Sequence, residues 1–271
     1  MSKAEIHGKL GNYVYSEDLL TSDVFQVLQY LKPEMFILEF LNRIFYENGL
    51  PTQFNNLHKW KCKYHFWPKG KLLMREPDVL VSLVNETNQT EYTIVIECKY
   101  LSTLSNYTES IRNGFKFGDQ LSDQYHDLLN GTYSYLGKDI LFKSSRENRY
   151  ILYLTNDYQK PEDCLKSSLM FHESSAKDYK SIFTNKLIWS NWIKVWEILK
   201  SKSAIIEEFP YKEMICDLLE LLELKGFVSF HGISFNDLSN SKDFSFFSKK
   251  WFNDNNTHIY DFKSNFYNDI L

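Results

Sequence analysis

A chain of 271 residues, 43% of them hydrophobic, has the length for one large α/β domain or a domain with an elaborated second half, and wholesale disorder is excluded. Its formal net charge of −4 excludes a broad basic surface, so nucleic-acid contact must use a local basic patch or a metal site that offsets its own acidic ligands. Cys62, Cys98, Cys164 and Cys216 form no Cys-x-x-Cys pair, which argues against a cysteine zinc site or a disulfide framework.

In chain order, a short helix is expected near Asp23–Leu31. Pro33 opens a second helix over 33–48, because proline is favoured in a first turn and Gly49-Leu50-Pro51 closes the segment. Phe36, Ile37, Phe40, Leu41, Ile44 and Phe45 recur there at helical spacing. Residues 52–68 read as a polar, aromatic loop or strand. Two strand-like runs follow, Leu72–Val84 and Glu91–Leu101, joined by the turn-rich Asn85-Glu86-Thr87-Asn88-Gln89-Thr90, so the pair reads as a β-hairpin. A helix is expected around 117–130. Arg149–Thr155 has the β-branched and aromatic make-up of a buried strand. Residues 188–200 and 211–225 show helical periodicity, with Gly226 suited to the position just past a helix. The expected class is α/β, one domain with a mainly helical C-terminal elaboration packed on it.

The composition adds three expectations. Aromatics reach 17%, but with so many Asn and Lys they read as the bias of an AT-rich coding sequence rather than as binding platforms. There is no run of about 18 apolar residues and no basic-then-apolar leader, so a cytoplasmic chain without a membrane partner is expected. The seven histidines form no metal-binding spacing, and no phosphate-cradling GxxxxGK[ST] loop occurs.

The hairpin carries the chemistry. If Val84 faces Glu91, Asp78 lies opposite Glu97 and Glu76 opposite Lys99. Side chains alternate between faces, so Asp78, Glu97 and Lys99 share one, while Val79, Val81, Leu83, Ile94, Ile96 and Cys98 form a core on the other. Two carboxylates directly opposed should repel, and a shared divalent cation would turn that cost into a ligand pair. Lys99 would direct a positive charge at the same spot, to orient or deprotonate a water or to stabilise developing charge. Those are the parts needed for phosphodiester hydrolysis.

Pro77-Asp78 followed by Glu97-Cys98-Lys99 resembles the signature of the PD-(D/E)xK nuclease superfamily, with an apolar residue between the acid and the lysine. The resemblance covers about residues 33–157. It implies a restriction-endonuclease-like core over 1–160, a central mixed sheet flanked by helices, with 161–271 as the helical elaboration. It also implies a metal site of Asp78, Glu97, Cys98 and Glu39, the last from the helix before the hairpin. An exposed Glu39–Arg43 ion pair is the alternative for that residue, and Glu34 suits the helix dipole. After the hairpin, Gly118-Asp119-Gln120-Leu121-Ser122-Asp123-Gln124-Tyr125 resembles the Gln-containing helix of the RecB-like branch. Gln120 becomes a catalytic-site residue, or else a solvated Gln on an amphipathic helix. Lys116 and Tyr125 become nucleic-acid contacts, or Lys116 a surface lysine. Gln120 and Tyr125 are five apart where four is usual, and Gln124 holds the usual Tyr position.

The implied activity is Mg²⁺-dependent cleavage of DNA, with Mn²⁺ able to substitute, in a bacterial defence or restriction setting. A homodimer or a partner protein of a defence or mobile-element system would fit it. The alternatives are a catalytically inactive nucleic-acid-binding or assembly module on the same fold, an RNA-directed nuclease, and an α/β domain with a coincidental motif.

Overall fold

The computed structural model describes residues 16–48, 54, 59–101, 111–112, 115–116, 119–130, 132–170 and 185–229. All of these fall within one compact unit that ends at Ser229. The first helix, α1 (Glu17–Leu28), starts earlier than its apolar pattern suggests, because Ser16 caps it by accepting a hydrogen bond from the Leu19 N–H at 3.3 Å. The expected helix over 33–48 divides into a 3₁₀ turn at Pro33–Met35 and α2 (Ile37–Glu47). The apolar stripe holds: Phe36, Ile37, Phe40, Leu41, Ile44 and Phe45 are all buried.

Strand β1 (Trp60–Phe66) and the short β2 (Lys69–Gly70) lead to the hairpin of β3 (Val79–Asn85) and β4 (Glu91–Cys98). Val84 pairs with Glu91 and Val79 with Ile96, which is the expected register. Asn85 makes the turn itself, its side chain accepting from the Thr87 N–H at 2.8 Å. A two-stranded β5 (Ile111–Arg112) and β6 (Phe115–Lys116) precedes α3 (Gln120–Asn130). The small hairpin β7 (Tyr133–Tyr135) and β8 (Lys138–Ile140) joins β2 in a separate sheet. Then come β9 (Arg149–Thr155), at its expected bounds, and α4 (Glu162–Met170).

Beyond residue 184 the expectation needs correcting. Residues 188–200 are not one helix: β10 (Leu187–Asn191) precedes α5 (Trp192–Ser203), and α6 (Tyr211–Leu224) follows. Asn191 supplies the stop signal for the strand, since its side chain caps α5 through the Lys194 N–H at 2.9 Å. β10 lies parallel to β9, so residues after 160 complete the central sheet as well as adding helices. At the end of α6, Gly226 adopts φ +82°, and the Phe227 N–H reaches the Leu222 carbonyl at 2.9 Å while Phe227 is buried. This is the left-handed helix stop that the sequence anticipates.

The central sheet has the order β1-β3-β4-β9-β10, antiparallel through the hairpin and parallel from β4 onward. The fold is therefore α/β, with a five-stranded mixed sheet flanked by helices. Every residue of β4 is buried, because both faces of the sheet are covered. One face packs Val79, Val81, Leu83, Ile94, Ile96 and Cys98 against α1, α2, α5 and α6. The other packs Leu80, Val95 and Ile151 against Leu121, Tyr125 and Leu128 of α3. On that helix the buried Asp123 and Asp127 anchor the segment after β2. Asp127 accepts from the Leu72 and Leu73 N–H groups at 2.8 and 2.9 Å, and Asp123 accepts from Arg75 at 2.8 and 2.6 Å. Buried acids with so many donors fix how α3 sits on the sheet.

Candidate active site

The hairpin ends where the sheet's second face meets α3. Asp78 lies one residue before β3, so the register carries it opposite Glu97. Both are buried, at 7% and 1% exposure, as is Lys99 at 8%. Asp78 Oδ2 accepts from the Cys98 N–H at 2.7 Å, which ties the first carboxylate to the strand carrying the second. Lys99 Nζ donates to Glu97 Oε1 at 2.7 Å. Placed two residues apart on a strand, the acid and the base share a face, as alternation requires.

Helix α3 supplies two amides. Gln120 Nε2 donates to Glu97 Oε1 at 2.6 Å, and Gln124 Nε2 to Glu97 Oε2 at 2.7 Å. Residues four apart on a helix project side by side, so together they straddle one carboxylate. The structure thus brings Gln120 to Glu97. Gln124 was not singled out as a site residue; its spacing from Gln120 was the available signal.

The acid from a preceding helix is Glu17. From the first turn of α1 its Oε1 accepts from Lys99 Nζ at 2.9 Å and its Oε2 from the Tyr100 N–H at 3.0 Å. The structure does not bring Glu39 here. That residue pairs with Arg43, four residues on, and with Lys202 of α5 at 2.5 Å. Burial opposes the Glu39 carboxylate, but these cations leave its pKa lowered. Its role is to join α2 to α5.

Two further expectations change. Tyr125 is fully buried in the core beneath α3, so it offers no surface to a nucleic acid. The Cys98 side chain lies in the core of the opposite face, away from the carboxylate pair, so its sulfur is not brought to the site, while its N–H is held by Asp78. Lys116 lies on β6, and its side chain falls outside the described residues.

The electrostatics follow from burial. Removal from water, then the nearby Glu97 carboxylate, push the Asp78 pKa well above the ordinary carboxylate range. Burial also raises Glu97, although Lys99 and Gln124 pull it down. Burial would lower Lys99, but the Glu97 and Glu17 carboxylates outweigh it and the net direction is upward. Lys99 is therefore an ammonium at neutral pH. As an ammonium it can orient a water or stabilise negative charge.

Among the described residues no group of three or more His, Cys, Asp or Glu side chains is arranged around a metal position. The acidic pair is nonetheless a fitting donor set for a hard cation, since Mg²⁺ is commonly held by one or two carboxylates with waters and substrate phosphate. Asp78 Oδ1 accepts no hydrogen bond among the described residues, and the buried Gln124 Oε1 has no donor. These oxygens, and the raised pKa of both acids, are what a divalent cation and its waters would relieve. No protein family, curated protein or solved structure matches the chain. Among the described residues, no helix is long and apolar enough to cross a membrane.

Proposed function

We propose that this chain is a divalent-metal-dependent nuclease with a restriction-endonuclease-like core, hydrolysing phosphodiester bonds in DNA. The observation that carries the reading is the convergence on one buried spot of Asp78, Glu97, Lys99, Gln120 and Gln124 from two strands and a helix. A structural ion pair needs one acid and one base. Here a second buried carboxylate faces the first, and that costs stability unless it serves a ligand.

Asp78 and Glu97 would hold Mg²⁺, or Mn²⁺ in its place. The bound cation would supply an activated water and a Lewis acid for the phosphate. Gln120 and Gln124 fix the rotamer of Glu97, so the donor oxygens are set before substrate arrives. Glu17 positions Lys99, whose ammonium would orient the water and stabilise charge on the phosphate oxygens. Restriction or phage defence is the setting proposed for such an activity.

Purified chain should nick supercoiled plasmid with Mg²⁺ or Mn²⁺ and lose that activity in EDTA. Running duplex DNA, single-stranded DNA and RNA side by side assigns the substrate. Cleavage that persists undiminished in EDTA would sink the reading.

A further inference from the structure

We propose that a cleft beside this site seats an unpaired nucleobase, so that the nuclease engages single-stranded or frayed DNA. The inference rests on the nuclease reading and names the substrate form that this site accepts.

The cleft has a volume of about 520 Å³, within the usual range for ligand pockets. One wall is α1 and the residue that caps its end, where Ser22, Gln26 and Gln29 fall at helical spacing on one stripe. The other is made of Phe66 and Trp67 at the end of β1, with Tyr135 and Leu136 at the tip of the β7–β8 hairpin. Among the described residues none of the lining side chains carries a charge, so the cleft offers a phosphate no cation. Aromatic faces with amide and hydroxyl groups suit a flat, neutral, hydrogen-bonding ring. Aromatic stacking of that kind contributes to single-strand binding and tolerates any base, and the chain's net charge of −4 leaves it little electrostatic hold on DNA.

The backbone presents these side chains at a cost. Leu136 and Gly137 form the two-residue loop between the paired Tyr135 and Lys138, with φ of +50° and +74°. Positive φ at both positions is the type I′ requirement, met ordinarily by Asn-Gly. Here a leucine occupies the strained position and is 84% exposed. Trp67 is also left-handed, at φ +46°, and is 37% exposed. Two large apolar side chains are thus held in unfavourable backbone at the mouth of one cleft. Local turn stability does not account for either.

The aromatic wall is continuous with the carboxylate site. The Trp67 N–H donates to the Asp78 carbonyl oxygen at 2.9 Å. The helix that forms the other wall carries Glu17, which holds Lys99, in its first turn. A base seated against Trp67 is therefore one backbone hydrogen bond away from the segment that carries Asp78.

The test measures binding of the full chain in EDTA, where cleavage does not intervene. The probes are a labelled oligothymidylate and a blunt duplex of equal length, read by fluorescence anisotropy. Wild type is expected to bind the single strand at least about tenfold more tightly than the duplex. Trp67→Ala should weaken the single strand by about tenfold and leave the duplex unchanged. Leu136→Asn provides the control for folding. Asparagine suits the left-handed position, so this variant should melt at a higher temperature than wild type yet bind the single strand less well. Unchanged single-strand affinity in Trp67→Ala, or a duplex bound as well as the single strand, overturns the proposal. If those variants bind normally while Mg²⁺-dependent nicking persists, only the cleft assignment falls. If Trp67→Ala loses the single strand but wild type never nicks, only the nuclease reading falls.

Discussion

Asp78→Asn is expected to remove Mg²⁺-dependent nicking while making the protein more stable. Asparagine keeps an oxygen for the Cys98 N–H, so the 2.7 Å hydrogen bond survives and that N–H is not orphaned, while its new amide N–H groups face the Glu97 carboxylate. What is lost is the negative charge. Burial and the facing Glu97 hold the Asp78 pKa well above the ordinary range, so the charged form works against the folded state. Activity should fall by about a hundredfold or more, the scale of losing one group that stabilises charge in a reaction. Stability at neutral pH should rise by about 1 kcal/mol, as when a strained functional residue is replaced.

The pH dependence has a definite sign. Because the folded-state pKa is raised, folded wild type keeps a proton on Asp78 after the unfolded chain has released it, from about pH 3.9 upward. Wild-type stability therefore declines as pH rises through that window, and the penalty is complete above the folded-state pKa. The variant lacks this slope. Its advantage should be near zero at about pH 3.9 and grow toward neutrality. Urea denaturation across pH measures it. An Asp78→Asn protein less stable than wild type at neutral pH would show that the carboxylate serves the fold rather than a ligand.

Lys99→Met should have the largest effect on folding. Methionine replaces the alkyl stem but removes the ammonium, leaving Glu97, whose side chain is 2% exposed, without its cation. Removing one partner of a buried pair costs about 3–5 kcal/mol, because the remaining charge is uncompensated. Gln120 and Gln124 still donate to Glu97, which places the expectation at the lower end of that range. Glu97 should then take up a proton more readily still, so the deficit relative to wild type shrinks as pH falls toward about 4.3. Lys99→Arg keeps the charge and should retain most of the stability. A deficit for Lys99→Met below about 1 kcal/mol at neutral pH would mean that the pair behaves as an exposed one.

The hairpin was legible because alternation and turn chemistry are local. Asn85 through Thr90 placed the turn, and a one-residue slip would have turned Val79, Val81 and Ile94 away from their core. That register put Asp78, Glu97 and Lys99 together before any packing was known. Residues 187–191 were not legible. Ile188, Trp192 and Val195 are spaced as on a helix, and the strand exists only because β9 offers a parallel partner more than thirty residues earlier in the chain. Asn191 marked the boundary, but a polar residue inside an apolar run is a weak cue alone.

The choice between Glu17 and Glu39 was likewise non-local. Both sit in the first turn of a helix, and both look like dipole-stabilising acids. Arg43, four residues after Glu39, was the local sign that this acid already had a partner. Nothing local showed that Glu17 would reach Lys99. Tyr125 was misplaced because its helix buries polar and aromatic residues alike. The face carrying Gln120 and Gln124 is set by where Asp123 and Asp127 grip the segment after β2.

Crystals of the wild-type chain soaked in Mn²⁺ and measured for anomalous scattering test the central claim most directly. The predicted result is a peak held by Asp78 and Glu97, with Lys99 still held by Glu17. A well-ordered site with no anomalous density, and Glu97 bound only by Lys99 and the two glutamines, would contradict it.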